Sequence, residues 1–349
     1  MINIDGDYLE GGGQILRTSL ALGGLLEKDF KITNIRARRA KPGLQPQHLT
    51  CVLAMQKICG AEVEGAELHS KELVFKPHQI NSGKYIFDVR DVKESAGSVS
   101  LILQTILLPL AFSGKESRVI LRGGTHVHFS PCFEYLHEIF LPTVAKMGVH
   151  TEIQIRNYGW YPEGMGEIEV RINGAEKLKP LQMVERGSLH KIEGYSFVSN
   201  LPLEIADRQK GPALKELVFL NCDKKISVGI KPSVGKGTIL FLKAVHENGI
   251  GGFFTLGEIN KRAEIVGHEA AKKLTEFENG TGAVDEHLAD QLMLPAALAE
   301  GKTEYSAEKI THHLLTNKYT IEKFVGKEIV QIDGVGKRVE IEGIGFSRG

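Results

Sequence analysis

Three stretches of the chain repeat one pattern of small, polar and apolar positions. In each, glycine and other small or acidic residues precede an apolar segment with helical spacing, as in EGGGQILRTSLALGG and SAGSVSLILQTILLPLAF. This pattern predicts a loop that leads into a buried helix. A second helix-like stretch follows each one, and runs such as FKITNIRA, SRVILRGG, TEIQIR and KEIVQIDG predict strands around the helices. The first helices are predicted in residues 10–24, 95–112 and 280–299, and the second in residues 45–60, 130–148 and 311–326.

A glutamine occupies the same place in each first stretch and gives the spacing of the units. Gln14 and Gln104 are 90 positions apart, whereas Gln104 and Gln291 are 187 apart. The 97 additional residues are about the size of a small domain. We therefore predict an α/β fold in which three units form a large domain and a small α/β domain is inserted before the third. The predicted boundaries are residues 1–180 for the first two units, 181–275 for the insert and 276–349 for the third unit.

The insert has its own alternation of strands and helices. LHKIEGYSFV and KKISVGIKP predict strands, LEIADRQKGPALKELV and LGEINKRAEIVGHEAAKKLTEF predict helices, and TILFLKAVHENGIGGFFTL predicts a hairpin. GIKPSVGKGT resembles a phosphate-binding P-loop, but its glycine spacing is one residue too long. Gly237 also follows Lys236 at the place where a P-loop requires Ser or Thr. The insert therefore contains no predicted catalytic residue.

The composition is typical of a globular protein. Hydrophobic residues make up 42% and charged residues 25% of the 349 positions, so a sizeable core is expected. No apolar run approaches the roughly 18 residues that span a bilayer, and the start MINIDGDYLEGGG is acidic, so we expect a cytoplasmic protein with no membrane partner. The four cysteines have neither CxxC nor zinc-finger spacing, which argues against a disulfide framework or a structural zinc site. The 43 basic residues balance 43 acidic ones, which argues against binding along a long nucleic acid but allows a local basic site.

The segment GDYLEGGGQILR combines a carboxylate, three glycines and an arginine at the start of a predicted helix. Backbone amides at a glycine-rich helix start can approach phosphates, and the carboxylate of Glu10 is suited to a divalent ion that bridges them. Arg17 lies on the first turns of the same helix. The alternative interpretation is a tight strand-to-helix turn in which Glu10 only favours the helix start.

The segment NIRARRAKPGLQPQH places four basic residues after a predicted strand. Strand alternation sends Arg36 and Arg38 to one face, whereas Arg39 turns with the loop and Lys41 follows. Neighbouring guanidinium groups suit a phosphate dianion, because each one donates two hydrogen bonds at once. A solvated basic edge is the alternative, and the residues alone leave both interpretations open.

Two stretches near the C-terminus carry histidines. His287 and Asp290 lie on a predicted amphipathic helix whose other face is apolar, and a core helix with two polar residues is the simpler interpretation. His312 and His313 precede the last predicted helix. A histidine in such a place is more often a capping or surface residue than a nucleophile, so residue chemistry alone assigns neither of them a role.

Seven stretches in order along the chain are more specific together than any one alone: DGDYLEGGGQILR, IRARRAKPGLQPQHLT, CGAEVEGAEL, LQTILLP, RNYGWYPEGMGEIEV, HLADQLMLPAALA and THHLLTN. Together they resemble the RNA 3'-terminal phosphate cyclase family, over almost the whole chain. The resemblance implies three β-α-β-α-β-β units with a small α/β domain inserted before the third. It also implies an enzyme that uses ATP to convert an RNA 3'-phosphate into a 2',3'-cyclic phosphate.

The resemblance further implies roles for individual residues. The family's nucleophile is the histidine directly before LLTN, here His313, which carries AMP before AMP passes to the RNA phosphate. Glu10 matches the carboxylate that assists Mg²⁺ or Mn²⁺. Arg17, Arg36 and Arg39 match the clamp on the RNA terminal phosphate. The positions that match the family's ATP contacts are Gln104, Pro131, His287, Leu288, Ala289, Asp290 and Gln291.

Three positions depart from the family pattern. Tyr158 stands where a histidine is common, Met165 replaces a glycine, and His287 replaces a tyrosine and offers less stacking area.

Two other functions are alternatives. A non-catalytic cyclase-like RNA-binding factor of ribosome assembly is disfavoured because His313 and Glu10 are both retained. An enolpyruvyl transferase is disfavoured because such enzymes use six repeats without the insert.

Overall fold

The first sheet and its two helices cover residues 2–76. Helix α1 (Gly13–Leu26) connects β1 (Ile2–Asp5) to the parallel strand β2 (Phe30–Thr33). Helix α2 (Pro46–Cys59) follows, and β3 (Glu62–Glu64) and β4 (Leu73–Lys76) complete the sheet in the order β1-β2-β4-β3. This arrangement is taken from a computed structural model, which describes residues 1–348.

The second sheet repeats this order with different helices. Its strands are β5 (Lys84–Asp88), β6 (Ser117–Gly123), β7 (Thr151–Asn157) and β8 (Gly166–Ile172), in the order β5-β6-β8-β7. A short turn of helix, Val89–Asp91, and α3 (Val99–Ala111) lie between β5 and β6. The helical stretch after β6 consists of α4 (Phe133–Tyr135), a wide π turn at Leu136–Phe140 and α5 (Leu141–Met147).

The third sheet begins with β9 (Gln182–Met183), after which the chain forms a separate sheet. That separate sheet has the order β11-β10-β12-β13, and its helices α6 and α7 pack against each other. A small core of its own includes Leu240, Leu242 and Leu274. The elements are β10 (Leu189–Ser199), α6 (Glu204–Glu216), β11 (Asp223–Ile230), β12 (Gly237–His246), β13 (Ile250–Leu256) and α7 (Ala263–Glu278).

The chain then returns to the third sheet, where β9 pairs in parallel with β14. The order β9-β14-β16-β15 matches that of the first two sheets. Gln182 and Met183 lie within the residues assigned to the insert from the sequence, so the chain enters the insert only after forming the first strand of this sheet. The remaining elements are α8 (Glu286–Gln291), α9 (Met293–Leu298), β14 (Glu300–Ser306), α10 (His312–Val325), β15 (Val330–Asp333) and β16 (Arg338–Ile344).

Helix α1 lies at the centre of the molecule. It packs against α2, α3 and α10, and each residue from Ile15 to Leu25 is buried. A helix that is apolar on nearly all sides is stable only when other elements surround it, as they do here.

The prediction of a mixed α/β fold is confirmed, while the exact limits of the inserted domain stay a prediction. Within residues 1–348, no helix has the length and apolarity needed to cross a membrane.

Candidate active site

The starts of several helices meet at one cavity of about 420 Å³. Gln14 and Arg17 reach it from the start of α1, His287 from α8 and His313 from α10, and the insert supplies the opposite wall. Helix starts carry a positive dipole, so a cavity between them favours an anionic ligand.

Seven residues singled out from the sequence line this cavity. Leu288 and Ala289 do not line it; both are fully buried and belong to the large hydrophobic core. Glu10, Arg36 and Arg39 lie in loops beside the cavity. The seven lining residues are Arg17, Gln104, Pro131, His287, Asp290, Gln291 and His313.

Two glycines at the start of α1 allow side chains to fold over the helix start. A Cβ atom on Gly12 would overlap the carboxylate of Glu10, and one on Gly13 would overlap the imidazole of His48. The preceding Leu9 has a φ of 46°, in the left-handed region that a non-glycine residue rarely occupies. The two glycines therefore leave room for the side chains of Glu10 and His48 to lie against the backbone at the helix start.

Glu10 occupies a nearly closed position between two predicted site residues. Its carboxylate forms an ion pair with the guanidinium group of Arg39, and its Oε1 lies 4.0 Å from Nε2 of His313. Its side chain is 10% exposed, and Oε2 is buried without a hydrogen-bond partner among residues 1–348. A buried carboxylate oxygen with no partner is a suitable ligand for a hard divalent cation.

The described residues offer a metal ion one carboxylate here and no complete cage. Across residues 1–348, no group of three or more His, Cys, Asp or Glu side chains is arranged to hold an ion. Mg²⁺ typically uses one or two carboxylates, keeps several waters and takes its remaining ligands from substrate phosphates. Glu10 therefore fits a metal that binds together with a nucleotide.

His313 lies on the first turn of α10, where Thr311 caps the helix. The Oγ1 atom of Thr311 accepts a hydrogen bond from the backbone N–H of Leu314 at 3.1 Å. The His313 side chain is 47% exposed, and burial of the rest, followed by the charge of Arg17, lowers the pKa of His313 to about 4. The imidazole is therefore neutral at pH 7. His312 is exposed and does not line the cavity.

A basic cluster beside the cavity is formed by Arg17 and His48, which are buried, and by Arg36, which is half-buried. Burial lowers the pKa of both arginines, and burial followed by the charges of Arg36 and Arg17 lowers the pKa of His48 well below its ordinary value. Arg17 donates to Oε1 of Gln14 at 2.7 Å, but the Nε atoms of Arg17 and Arg36 have no partner within residues 1–348. Buried guanidinium groups with unused donors favour a phosphate ligand.

Asn317 joins three helices beneath the cavity, and sequence reasoning did not identify it. Its Oδ1 accepts hydrogen bonds from Nε2 of Gln14 at 3.0 Å and from Oγ1 of Thr18 at 2.8 Å. Its Nδ2 donates to the backbone oxygen of Asp290 at 2.9 Å. Asn317 is four residues after His313, one helical turn away, and this spacing was the only signal of its position.

Two buried aspartates of the α8 region differ in their partners. Asp285 caps α8 by accepting from the backbone N–H groups of His287 at 2.9 Å and Leu288 at 3.0 Å, and it also accepts from the hydroxyl of Tyr135 at 2.7 Å. Asp290 lines the cavity, and burial raises the pKa of Asp290 to about 8, although the charge of Arg17 opposes the shift. The Asp290 carboxyl is thus mostly protonated at pH 7 and is able to donate a hydrogen bond to a ligand.

The insert supplies a wall of the cavity that sequence analysis missed. Lys261 on this wall donates to Oε2 of Glu269 at 2.5 Å. Lys273 donates to the backbone oxygen of Phe254 at 2.8 Å, and burial lowers the pKa of Lys273. At the rim, Phe129 is fully exposed and has a φ of 59°. No local motif marks Lys261 or Lys273, because they reach the cavity only through packing of the insert against the rest of the protein, whereas Phe129 lies in the loop after β6.

Two of the three residues that depart from the family pattern, Tyr158 and Met165, lie outside the cavity, whereas His287 lines it. The ring of Tyr158 stacks on His126 and meets Phe197 of the insert edge-on, with centroid distances of 5.2 Å in both cases. Met165 is 38% exposed and has a φ of 55°. The P-loop-like segment is also structural, because strand β12 begins at Gly237 where a P-loop would start a helix.

The fold and the site together define a mixed α/β protein with a phosphate-binding type of cavity. Arginines, a neutral histidine and a carboxylate suited to a metal converge there, which is typical of enzymes that transfer phosphoryl or nucleotidyl groups.

Comparison with known proteins identifies the family. A family model described as RNA 3'-terminal phosphate cyclase matches residues 8–330. Proteins named RNA 3'-terminal phosphate cyclase are similar along nearly their whole length: one from Nostoc punctiforme is 41% identical, with 99% of each chain covered. One from Pyrobaculum aerophilum is 40% identical with 99% of each chain covered, and one from Saccharolobus solfataricus is 44% identical with 97% of each covered. The chain belongs to the RNA 3'-terminal phosphate cyclase family, which confirms the predicted family and the predicted enzyme class.

Proposed function

We propose that this chain uses ATP to convert an RNA 3'-terminal phosphate into a 2',3'-cyclic phosphodiester, with release of AMP and pyrophosphate. The observation that carries the proposal is the position and protonation of His313. Its imidazole lines the cavity beside Arg17, and its lowered pKa leaves a nitrogen lone pair available at pH 7.

The reaction proceeds in three displacements at phosphorus. A ring nitrogen of His313 attacks the α-phosphate of ATP, forming an N–P bond while the bond to pyrophosphate breaks. An oxygen of the RNA 3'-phosphate then attacks the same phosphorus and frees the histidine, which gives an RNA-3'-pp-5'-A intermediate. Finally the neighbouring 2'-hydroxyl attacks the RNA phosphorus, loses its proton and expels AMP. Transfer of AMP to the RNA converts a poor oxide leaving group on the terminal phosphate into AMP, which is a good one.

The nucleotide occupies the 420 Å³ cavity in this proposal. Gln104, Pro131, His287 and Gln291 contact it from the walls. The protonated carboxyl of Asp290 donates a hydrogen bond rather than repelling the phosphates, because burial raises its pKa to about 8. Leu288 and Ala289 act indirectly, as packed core residues that hold this wall in place.

Mg²⁺ or Mn²⁺ would be held by Glu10, whose buried Oε2 has no protein partner among the described residues. When bound, the ion would neutralise charge that develops on the leaving pyrophosphate. The 4.0 Å separation between Glu10 and His313 places the carboxylate next to the reacting nitrogen. Glu10 also positions Arg39 through their ion pair.

Arg17, Arg36 and Arg39 would grip the RNA terminal phosphate. Arg17 is buried and Arg36 is half-buried, and both have unused Nε donors among residues 1–348. His48 lies against them with a pKa lowered well below its ordinary value. An RNA end brings a dianionic phosphate, and binding it relieves the repulsion within this cluster. The partners of the protein in this proposal are ATP and RNA with a 3'-phosphate.

The decisive experiment is incubation of the protein with ATP labelled at the α-phosphate and Mg²⁺. The expected product is an acid-labile, alkali-stable AMP adduct on His313. Absence of an adduct on the wild-type protein would overturn the enzyme mechanism, and an adduct that survives in His313→Ala would overturn the choice of residue. His312→Ala is the matched control and should still form the adduct.

Arg39→Ala separates the two halves of the reaction. It should spare self-adenylylation and impair transfer of AMP to an RNA 3'-phosphate. Equal loss of both steps would mean that Arg39 serves the nucleotide or the Glu10 carboxylate rather than the RNA.

A further inference from the structure

A groove of about 610 Å³ follows the exposed face of α10 away from the candidate active site. Tyr8 and Leu9 form one wall, and α10 from Leu315 to Gly326 forms the other. We call this the α10 groove. Its near end adjoins the site on both walls, because Leu9 directly precedes Glu10 and Leu315 is two residues after His313.

An aromatic stack forms the first part of the α10 groove. The rings of Tyr8 and Tyr319 are stacked with centroids 4.0 Å apart and planes 18° apart. The Tyr319 hydroxyl accepts a hydrogen bond from the backbone N–H of Asp5 at 3.2 Å, which fixes its ring. Tyr8 is 39% exposed and Leu9 is 42% exposed, and Leu9 has the left-handed φ of 46°. Exposed apolar side chains on a strained backbone are typical of ligand-binding positions.

The far part of the α10 groove carries a net positive charge. Lys323 lies 5.7 Å from the centre of the Tyr319 ring, and Lys327 lies just beyond the end of α10. Among residues 1–348, neither ammonium group has a carboxylate oxygen within 4.0 Å. By contrast, Lys318 is occupied by Glu322 at 2.9 Å and neutralises it, and one further carboxylate, Glu328, lines the groove. The two lysines outnumber this carboxylate, so the end of the groove beyond the aromatic stack is positive.

We propose that the RNA strand leading to the 3'-phosphate lies in the α10 groove. A base would continue the stack that Tyr8 and Tyr319 begin, and backbone phosphates would lie near Lys323 and Lys327. Aromatic platforms beside cationic side chains are the usual means of binding single strands without sequence preference. This proposal rests on the proposed function, because the groove ends at the residues that would hold the terminal phosphate.

The groove also explains how a chain with zero net charge binds a polyanion. Only a few phosphates need partners, and the groove supplies Lys323 and Lys327 for them. A protein partner is a poorer fit, because unpaired lysines in a docking face would have to be desolvated against it.

The test measures binding of fluorescently labelled RNA with a 3'-phosphate, in the absence of ATP, as a function of length and salt. Lys323→Gln/Lys327→Gln should weaken binding of an octamer and reduce the slope of log K against log salt by about 1.4, since each phosphate contact on a single strand contributes about 0.7. Tyr8→Ala should weaken octamer binding by roughly 5- to 150-fold, the equivalent of about 1–3 kcal/mol for one stacked base. Tyr8→Trp keeps an aromatic ring and should restore binding.

Three controls make the result specific. A nucleoside 3'-phosphate reaches only the clamp, so the double lysine variant should bind it as the wild type does. The same variant should form the AMP adduct normally when RNA is absent. Phe219→Ala removes a ring of the insert that is 90% exposed and should leave RNA binding unchanged.

The proposal would be overturned if the wild type bound the octamer no more tightly than the nucleoside 3'-phosphate. It would also be overturned if Phe129→Ala weakened octamer binding while the lysine and Tyr8 variants did not, because the strand would then leave the site past the insert. Since these measurements use no ATP, failure of the proposed function appears separately, as absence of the adduct on the wild-type protein.

Discussion

Self-adenylylation should remain fast well below neutral pH, because the nucleophile titrates far below its ordinary value. An imidazole with the ordinary pKa of about 6.5 is only about 3% neutral at pH 5, whereas one with a pKa of about 4 is about 90% neutral. The expected rate at pH 5 is therefore up to about thirtyfold higher than for an ordinary histidine. The His313 side chain is 47% exposed, and water screens part of the effect, so thirtyfold is the upper limit.

The sign of the effect follows from its causes. Burial and the charge of Arg17 both oppose protonation, so the reactive neutral form persists as pH falls and is lost only as pH passes through the lowered pKa. Removing the charge in Arg17→Gln should move the midpoint back toward 6.5. The rate falls at low pH in both proteins, but it should fall earlier in the variant.

The assay is single-turnover formation of the AMP adduct with saturating ATP and Mg²⁺ between pH 4 and 8. An NMR titration of protein with isotope-labelled histidine gives the pKa of His313 directly from its imidazole resonances. His313→Asn identifies which resonances belong to His313. A wild-type midpoint near 6.5 in both measurements would refute the reasoning. If Arg17→Gln left the rate midpoint unchanged while the resonance shifted, the rate would be following protonation of the nucleotide.

Two further predictions concern buried groups beside the cavity. Because burial raises the pKa of Asp290 to about 8, the folded state holds an extra proton between about pH 4 and 8, and wild-type stability should fall with rising pH by at most about 1.4 kcal/mol per unit. Asp290→Asn removes this dependence, so urea midpoints should show the stability of the variant relative to the wild type increasing from pH 5 to pH 8. A difference between the two proteins that stays constant with pH would contradict the raised pKa of Asp290. Asn317→Ala leaves three partner groups on two helices unpaired and should lower the free energy of unfolding by about 2–4 kcal/mol. The neighbouring Thr316→Val removes a buried hydroxyl that has no partner among the described residues, so it should change stability by less than about 1 kcal/mol, and equal losses in the two variants would refute the role of the Asn317 hydrogen bonds.

The hydrophobic pattern located the long helices well because their burial is periodic. The expected helix at 311–326 corresponds to His312–Val325, and that at 45–60 corresponds to Pro46–Cys59. The stretch 280–299 instead forms two short helices, since α8 ends at Gln291 and α9 begins at Met293. Pro295 near the start of α9 lacks the N–H that a continuous helix would need there. Strand β9 has only two residues, too few for any periodic signal.

The site was predictable only where its residues lie in local motifs. Glu10, the clamp arginines and His313 belong to short stretches with family-specific patterns. Gln14 and Asn317 are 303 positions apart, and nothing in either stretch indicates that they form a hydrogen bond. The insert wall was missed for the same physical reason, because Lys273 and Phe129 come together through tertiary packing alone.

The ion pair between Glu10 and Arg39 has a consequence for the order and coupling of ligands. In the proposed reaction, a cation on the Glu10 carboxylate competes with Arg39 for its charge, and a guanidinium group released from Oε1 is free to meet a phosphate. Each ligand thus takes one member of the ion pair: the cation binds Glu10 and the phosphate binds Arg39. The contact between Glu10 and Arg39 is broken once, and two new contacts form. Thermodynamic reciprocity requires that a phosphate held by Arg39 favour a cation on Glu10 by the same factor. In the proposed reaction, the metal-bound nucleotide and the RNA terminus would therefore be coupled through this single pair of side chains before any bond is made.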